Sequence, residues 1–229
     1  MEGEQEDKFE ACPPLEEGLE QGVPPIKNII WDLGGVLIQW NPRLVVSTLF
    51  SERGEENIPY DLCETTALPC WKDLDRGTIT REEAVAMLPS HYNKEDYRTF
   101  VDGVGPFFIP LKPGVDLLNQ LRATGRYRHF VLSNFHRDYF EEIRARYNHT
   151  EVCFSLFDGL CVSAWHHHIK PEREIYMMLF REFGLNPREC LFIDDSEVNV
   201  RAGEEFGMRG VVCRDHDQLK EDLQRFKLL

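Results

Sequence analysis

The stretch IKNIIWDLGGVLI, residues 26–38, decides the fold. Ile26 to Trp31 is a short run of branched and aromatic residues, the composition of a strand buried on both faces. It stops at Asp32, and Gly34-Gly35 follow at once, where the backbone is free to curl over a ligand. Val36-Leu37-Ile38 is expected to resume the chain as a short extended flap. Two further apolar runs end in the same manner: Phe130-Val131-Leu132 stops at Ser133-Asn134, and Leu191-Phe192-Ile193 stops at Asp194-Asp195. A lone lysine lies between them in Ile169-Lys170-Pro171. Strands that end in acid, hydroxyl or lysine are what a parallel sheet presents along its carboxyl edge. Three carboxylates gathered at that edge repel one another without a cation, so a divalent metal and an active site are expected there.

Outward from these runs the rhythm is strand and helix in alternation. Pro113 opens a helix closed by Gly125, followed by a strand from Arg128 to Leu132 and a helix from about Arg137 to Tyr147. Phe154 to Val162 reads as an irregular strand region. Pro171 is expected to open a helix ended by Gly184. A strand at Leu191–Ile193, a helix from Val198 to Phe206 and a last strand from Gly210 to Cys213 complete the pattern. Repeated units of this kind predict an α/β fold, a three-layer Rossmann-like parallel sheet with right-handed crossovers. From Pro42 to about Pro106 the pattern is helical throughout. Pro42 suits a first helical turn, Thr80-Arg81-Glu82-Glu83 is a capping box, and Asp96 to Val101 suggests another short helix. This segment, 42–106, reads as an insertion into a core formed by 26–41 and 107–229.

Residues 1–25 carry eight acids and one base, a contribution of −7 to the formal charge of −14. Such a stretch, with few apolar residues and two Pro-Pro pairs, is expected to be a solvated tail. The net charge argues against nucleic acid and anionic membrane as partners. The N-terminus is acidic, lacks the apolar stretch of a signal peptide and is followed by no run of membrane-spanning length. Seven scattered cysteines, none spaced C-x-x-C, suit reduced thiols in a cytoplasmic protein.

Each candidate has a plainer reading beside the functional one. Asp32, Ser133 and Asn134 could serve only as turn residues, and Asp195 or Ser196 could cap a helix. Asp194-Asp195 weighs against this, because adjacent carboxylates after an apolar strand need a cation or a donor. Asn199 is placed to hold one of them. Lys170, read at a helix start, would oppose the helix dipole and so implies an anion, which a phosphate would supply.

The ordered set D-x-G-G-V, S-N, K-P and D-D-x-x-x-N resembles the four motifs of the haloacid dehalogenase superfamily, from Ile26 to about Val212. The resemblance implies a Mg²⁺-dependent phosphomonoester hydrolase acting on a small phosphorylated metabolite. Asp32 would be the nucleophile that forms an aspartyl-phosphate. Ser133 would hydrogen-bond a phosphoryl oxygen, with Asn134 and Lys170 beside it in substrate binding, and Lys170 would offset negative charge. Asp32, the Gly34 carbonyl and Asp195 would hold the Mg²⁺, with Asp194 and Asn199 behind them. The helical insertion would be the small cap that closes over substrate.

One position departs from the pattern. Phosphatases of this family usually carry a second aspartate two residues after the nucleophile, and here that place is Gly34. A missing general acid removes ~10²–10⁴-fold in rate unless something replaces it. Three outcomes follow: a substrate with a good leaving group such as a sugar phosphate, a proton from the cap through Glu64, Asp73 or Asp75, or a weak phosphate-binding protein. A metal-free 2-haloacid dehalogenase, with Asp32 attacking carbon, is a further alternative that the crowded Asp194-Asp195 pair opposes. His166-His167-His168 could attract a transition metal, but consecutive side chains diverge, and a loop at the rim is the expected role. Trp31, Trp40 and Trp71 read as packing residues, with Trp71 placed where it could touch substrate.

Overall fold

A computed structural model of the chain describes residues 24–150 and 152–229. The acidic stretch 1–25, apart from Pro24 and Pro25, therefore lies outside the described residues. Five strands, β1 (Asn28–Trp31), β2 (Arg128–Ser133), β3 (Gly159–Val162), β4 (Cys190–Asp194) and β5 (Arg209–Val212), form one parallel sheet in the order β3-β2-β1-β4-β5. The helices are α1 (Pro42–Leu49), α2 (Pro69–Asp75), α3 (Arg81–Met87), α4 (Lys94–Gly103), α5 (Lys112–Ala123), α6 (Arg137–Tyr147), α7 (Ser163–His166), α8 (Arg173–Phe183), α9 (Glu197–Glu204) and α10 (His216–Arg225).

The chain moves outward from β1 to β3, crosses back, and continues from β4 to β5. The reversal of strand order lies at β1, and open sheets of this type bind ligands beyond the carboxyl ends of the strands at that point. Asn28 is in register with Arg128 on one side and Cys190 on the other, so β1 is fixed from both flanks. Alternate side chains feed two cores. Ile29, Trp31, Val131, Leu191 and Ile193 pack with α5, α6 and α10. Ile30, Phe130, Leu132 and Phe192 pack with Ile175, Tyr176 and Leu179 of α8 and with Phe206 and Met208.

The helices from α1 to α4 all fall between β1 and α5. Asn41 caps α1 through Leu44 N–H at 3.0 Å, ahead of Pro42. Thr80 and Glu83 form the reciprocal capping box of α3, with Thr80 N–H on the Glu83 carboxylate at 2.7 Å and Glu83 N–H on the Thr80 hydroxyl at 3.2 Å. The two ends of this helical segment are zipped together. Gln39 N–H donates to Ile109 O and Leu111 N–H to Leu37 O, both at 2.8 Å, around an antiparallel bridge between Ile38 and Pro110.

Two local expectations are corrected, and two regions gain detail. Residues 35–37 form a tight turn, not an extended flap, because the Leu33 carbonyl accepts the N–H groups of Val36, Leu37 and Ile38 and Gly35 adopts φ +71°. The helix expected at Pro171 begins at Arg173. Pro171 sits instead in a turn in which Glu172 N–H donates to Ile169 O at 2.8 Å and the Glu172 carboxylate accepts Ile169 N–H at 3.1 Å. Lys170 is therefore not at a helix N-terminus, and the dipole argument for an anion there falls away. The 154–162 region resolves into a 3₁₀ turn (Phe154–Leu156) and the strand β3. The chain ends in the helix α10, beyond the last expected strand; Asp215 caps it through Gln218 N–H at 2.8 Å, and Leu219 and Leu223 are buried.

Among the described residues the cysteines are free and no helix is long and apolar enough to cross a membrane.

Candidate active site

Asp32 follows β1 directly and keeps the strand's register, donating its N–H to Ile193 O at 2.9 Å. Its Oδ1 accepts Leu33 N–H at 2.7 Å and lies 2.8 Å from Lys170 Nζ. Lys170 reaches on to Asp194 Oδ2 at 2.6 Å, and its side chain is 1% exposed. The remaining lone pairs of Asp194 are taken up within its own loop: Oδ1 accepts Ser196 N–H at 2.8 Å and Asn199 Nδ2 at 3.1 Å. A carboxylate so occupied holds the lysine and has little left for a metal. Asp195, one residue on, is exposed at the cavity.

Asp32, Asp194 and Asp195 offer oxygens that all lie within 4.8 Å of one another. Burial pushes Asp32 up to about 7, the Lys170 ammonium pulling it down and the Asp194 and Asp195 charges adding to the rise. Partial desolvation at the cavity and the Asp194 charge likewise raise Asp195. Burial opposes the charge on Lys170, yet Asp194 and Asp32 outweigh it and hold the ammonium above its ordinary range. Three carboxylates face one cation, so the cluster carries an unmet negative charge. Hard oxygen donors with excess charge fit Mg²⁺. The loop bearing Gly34 and Gly35 lies tightly on the cluster: a Cβ at Gly35 would meet Asp195 Oδ2 at 2.3 Å.

Ser133 ends β2, is 1% exposed and lines the same cavity. Asn134 lines it too, but its side chain is spent on the main chain of Lys170, Nδ2 donating to Lys170 O at 3.0 Å and Oδ1 accepting Lys170 N–H at 2.7 Å. The three histidines diverge. His166 faces Glu182 at 3.4 Å, His168 faces Glu172 at 3.4 Å, and His167 Nδ1 meets Arg76 O at 2.9 Å.

The cavity holds about 260 Å³. Its floor is Asp32, Gly34, Ser133, Lys170 and Asp195; its walls are Trp40, Trp71, Phe108, Phe135 and Tyr139. Trp40 stacks between Trp71 (5.5 Å) and Phe108 (5.6 Å), and Phe108 meets Phe135 at 4.9 Å. All three tryptophans pack: Trp31 is fully buried, its Nε1–H donating to His129 Nδ1 at 3.2 Å, Trp71 is buried in the same core and Trp40 packs against it, the last two also lining the cavity. Trp40 and the phenylalanines carry no motif signal; they become wall residues only because the zipped segment ends bring 40 and 108 together.

A model of the haloacid dehalogenase-like hydrolases matches residues 26–207. The chain is 29% identical over 192 residues to the sesquiterpene phosphatase astK of Aspergillus oryzae, a match spanning 82% of this chain and 90% of that one. Among solved structures it resembles a HAD family enzyme of Bacteroides thetaiotaomicron, with 26% identity, a TM-score of 0.64 and coverage of 86% and 99% of the two chains. The Bacteroides enzyme is also known in complex with magnesium and inorganic phosphate. A predicted HAD-like family hydrolase of Porphyromonas gingivalis matches with 26% identity and a TM-score of 0.65 over 88% of this chain and 99% of that one.

Proposed function

Since the chain belongs to the haloacid dehalogenase-like hydrolases, we propose that it is a Mg²⁺-dependent phosphatase that works through an aspartyl-phosphate on Asp32. The observation that carries this reading is the arrangement of Lys170 between Asp32 Oδ1 and Asp194 Oδ2 within a three-carboxylate cluster. The Asp32 carboxylate meets Leu33 N–H and Lys170 Nζ through Oδ1, which leaves Oδ2 for phosphorus. Oδ2 attacks in line with the departing ester oxygen, and water then releases phosphate from the acyl phosphate. Lys170 and the Ser133 hydroxyl offset charge on the phosphoryl oxygens. Asp32, Asp195 and the Gly34 carbonyl would hold Mg²⁺, which when bound supplies charge neutralisation between an anionic ester and an anionic nucleophile. The metal-free dehalogenase alternative is weaker, because the cluster's unmet negative charge would then stand uncompensated.

The helical segment 42–106 acts in this reading as a cap that adds Trp71 to the substrate-facing wall, whose other aromatic residues, Trp40, Phe108, Phe135 and Tyr139, come from the core. That wall is aromatic, so the favoured substrate is the phosphate ester of a largely apolar alcohol and less a sugar phosphate with its many hydroxyls. The sesquiterpene phosphatase relative supports the same choice.

The test is hydrolysis of p-nitrophenyl phosphate and of an isoprenoid monophosphate with Mg²⁺, with EDTA, and by Asp32→Asn. The expected result is Mg²⁺-dependent turnover, lost by at least ~10³-fold in the variant. Turnover that survives EDTA, or that the variant retains, removes the proposal.

A further inference from the structure

The floor carboxylates have no proton to give. Asp32 is the attacking group, Asp194 is saturated by Lys170, Ser196 and Asn199, and Asp195 lies in the metal cluster. An ester of an apolar alkanol nevertheless leaves as an alkoxide unless it is protonated. One further acid lines the cavity: Asp75, the last residue of α2. Glu64 is exposed, and Asp73 is paired with Arg76 at 2.9 Å.

Asp75 is held at the cavity by the sheet domain itself. Its main-chain carbonyl accepts the Ser163 hydroxyl at 2.5 Å, and the same hydroxyl accepts Phe135 N–H at 2.9 Å. Its carboxylate is hydrogen-bonded by the Trp71 side chain and by the His136 main chain. The following residues dock as well. Arg76 pairs with Glu172, its carbonyl meets His167, and Gly77 at φ +66° lies so close to Ala164 that a Cβ would meet the Ala164 carbonyl at 2.7 Å. The loop that carries Ser133 thus also fixes Asp75.

We propose that Asp75 is the acid and base of the reaction, serving the leaving-group oxygen in the cavity that it lines together with Asp32. The assignment rests on the phosphatase reading above. Asp32 Oδ2 bonds to phosphorus as the phosphorus–oxygen ester bond breaks. The bonding pair stays on the ester oxygen, which takes the proton of the Asp75 carboxyl and leaves as the alcohol. The Asp75 carboxylate then accepts a proton from water as the water oxygen bonds to phosphorus, and the pair of the breaking acyl–phosphate bond returns to Asp32.

Burial pushes Asp75 up to about 7, against the pull of the Trp71 donor, Arg76, the His136 N–H and Lys170. The phenols of Tyr97 and Tyr139 also face it and are themselves raised, chiefly by burial. A group near 7 is suited to give and take a proton at neutral pH.

The experiment compares wild type, Asp75→Asn and Asp75→Glu on an alkyl phosphate and on p-nitrophenyl phosphate, whose leaving group needs no proton. Rates are compared as kcat/KM, which reports attack on phosphorus and not the later hydrolysis that both esters share: Asp75→Asn is expected to lose ~10²–10⁴-fold on the alkyl ester and under ~10-fold on the nitrophenyl ester, with part of the alkyl activity restored by glutamate. In wild type the alkyl rate falls above neutral pH while the nitrophenyl rate does not. Metal-free protein gives a readout apart from turnover. A carboxyl raised from 3.8 to about 7 in the fold contributes stability below 3.8 that is lost as pH rises toward 7. Asp75→Asn should therefore gain melting temperature over wild type at pH 8 relative to pH 4. Equal losses on both esters, or an unchanged pH dependence of melting, overturn the assignment alone. Absence of Mg²⁺-dependent turnover by wild type on either ester overturns the phosphatase reading and the assignment with it.

Discussion

Asn134 grips Lys170 by its main chain from both sides, accepting its N–H at 2.7 Å and donating to its carbonyl at 3.0 Å. The amide therefore sets where the lysine stem starts, and the stem sets where the ammonium ends between Asp32 and Asp194. Asn134→Ala should lower kcat by roughly 10–100-fold, the scale seen when a supporting contact behind a site is removed. KM should change little. Steady-state kinetics on p-nitrophenyl phosphate separate the two parameters.

Lys170 pairs with two buried carboxylates, Asp32 and Asp194. Lys170→Met keeps the length of the stem and removes the charge, leaving Asp32 and Asp194 uncompensated. A loss of about 3–5 kcal/mol in urea unfolding is expected in metal-free protein, together with loss of turnover. Added Mg²⁺ should recover part of the stability, because a ligand bound only to the folded state stabilises it.

Gly35 combines φ +71° with a Cβ position 2.3 Å from Asp195 Oδ2. Gly35→Ala both strains the turn and displaces that carboxylate. The expected outcome is weaker Mg²⁺ binding with the fold retained at a cost of about 1–3 kcal/mol. Titration of activity against Mg²⁺ concentration and a circular-dichroism melt check the two halves separately.

His129 lies at the centre of the sheet with its Nδ1 accepting the Trp31 indole, a role open only to the neutral ring. Burial, helped by Arg122, lowers it to about 4. A histidine depressed from 6.5 contributes stability above 6.5 that is lost as pH falls through that value toward 4. The contribution is about 3 kcal/mol at neutral pH. His129→Gln should flatten the acid side of the stability profile between pH 6.5 and 4, measured by urea unfolding at several pH values.

The strand ends at Asp32, Ser133 and Asp194 were legible because a parallel sheet buried on both faces writes its strands as continuous apolar runs, and the polar residue that halts each run marks the edge. Helix starts at Pro42, Thr80 and Arg137 were legible for similarly local reasons. The turn at 35–37 was not, since the acceptor that closes it, the Leu33 carbonyl, leaves no trace in side-chain pattern. Asn134 looked like a substrate contact because the sequence shows its amide but not the Lys170 backbone 36 positions away. The aromatic wall was hidden for the same reason: Trp40 and Phe108 are neighbours only through a contact that the chain makes after a long excursion.

That excursion begins and ends at nearly the same point. Leu37–Gln39 and Ile109–Leu111 are bound to each other by main-chain hydrogen bonds, so whatever is threaded between them need not disturb the strands below. The piece from 42 to 106 can be regarded as a cartridge seated in a fixed socket. Exchanging it for another helical segment of similar span that keeps an acid at the place of Asp75 should change which alcohol is accepted while the floor goes on cleaving phosphate, and a lineage that needed new chemistry at its periphery could obtain it without re-inventing the machinery beneath.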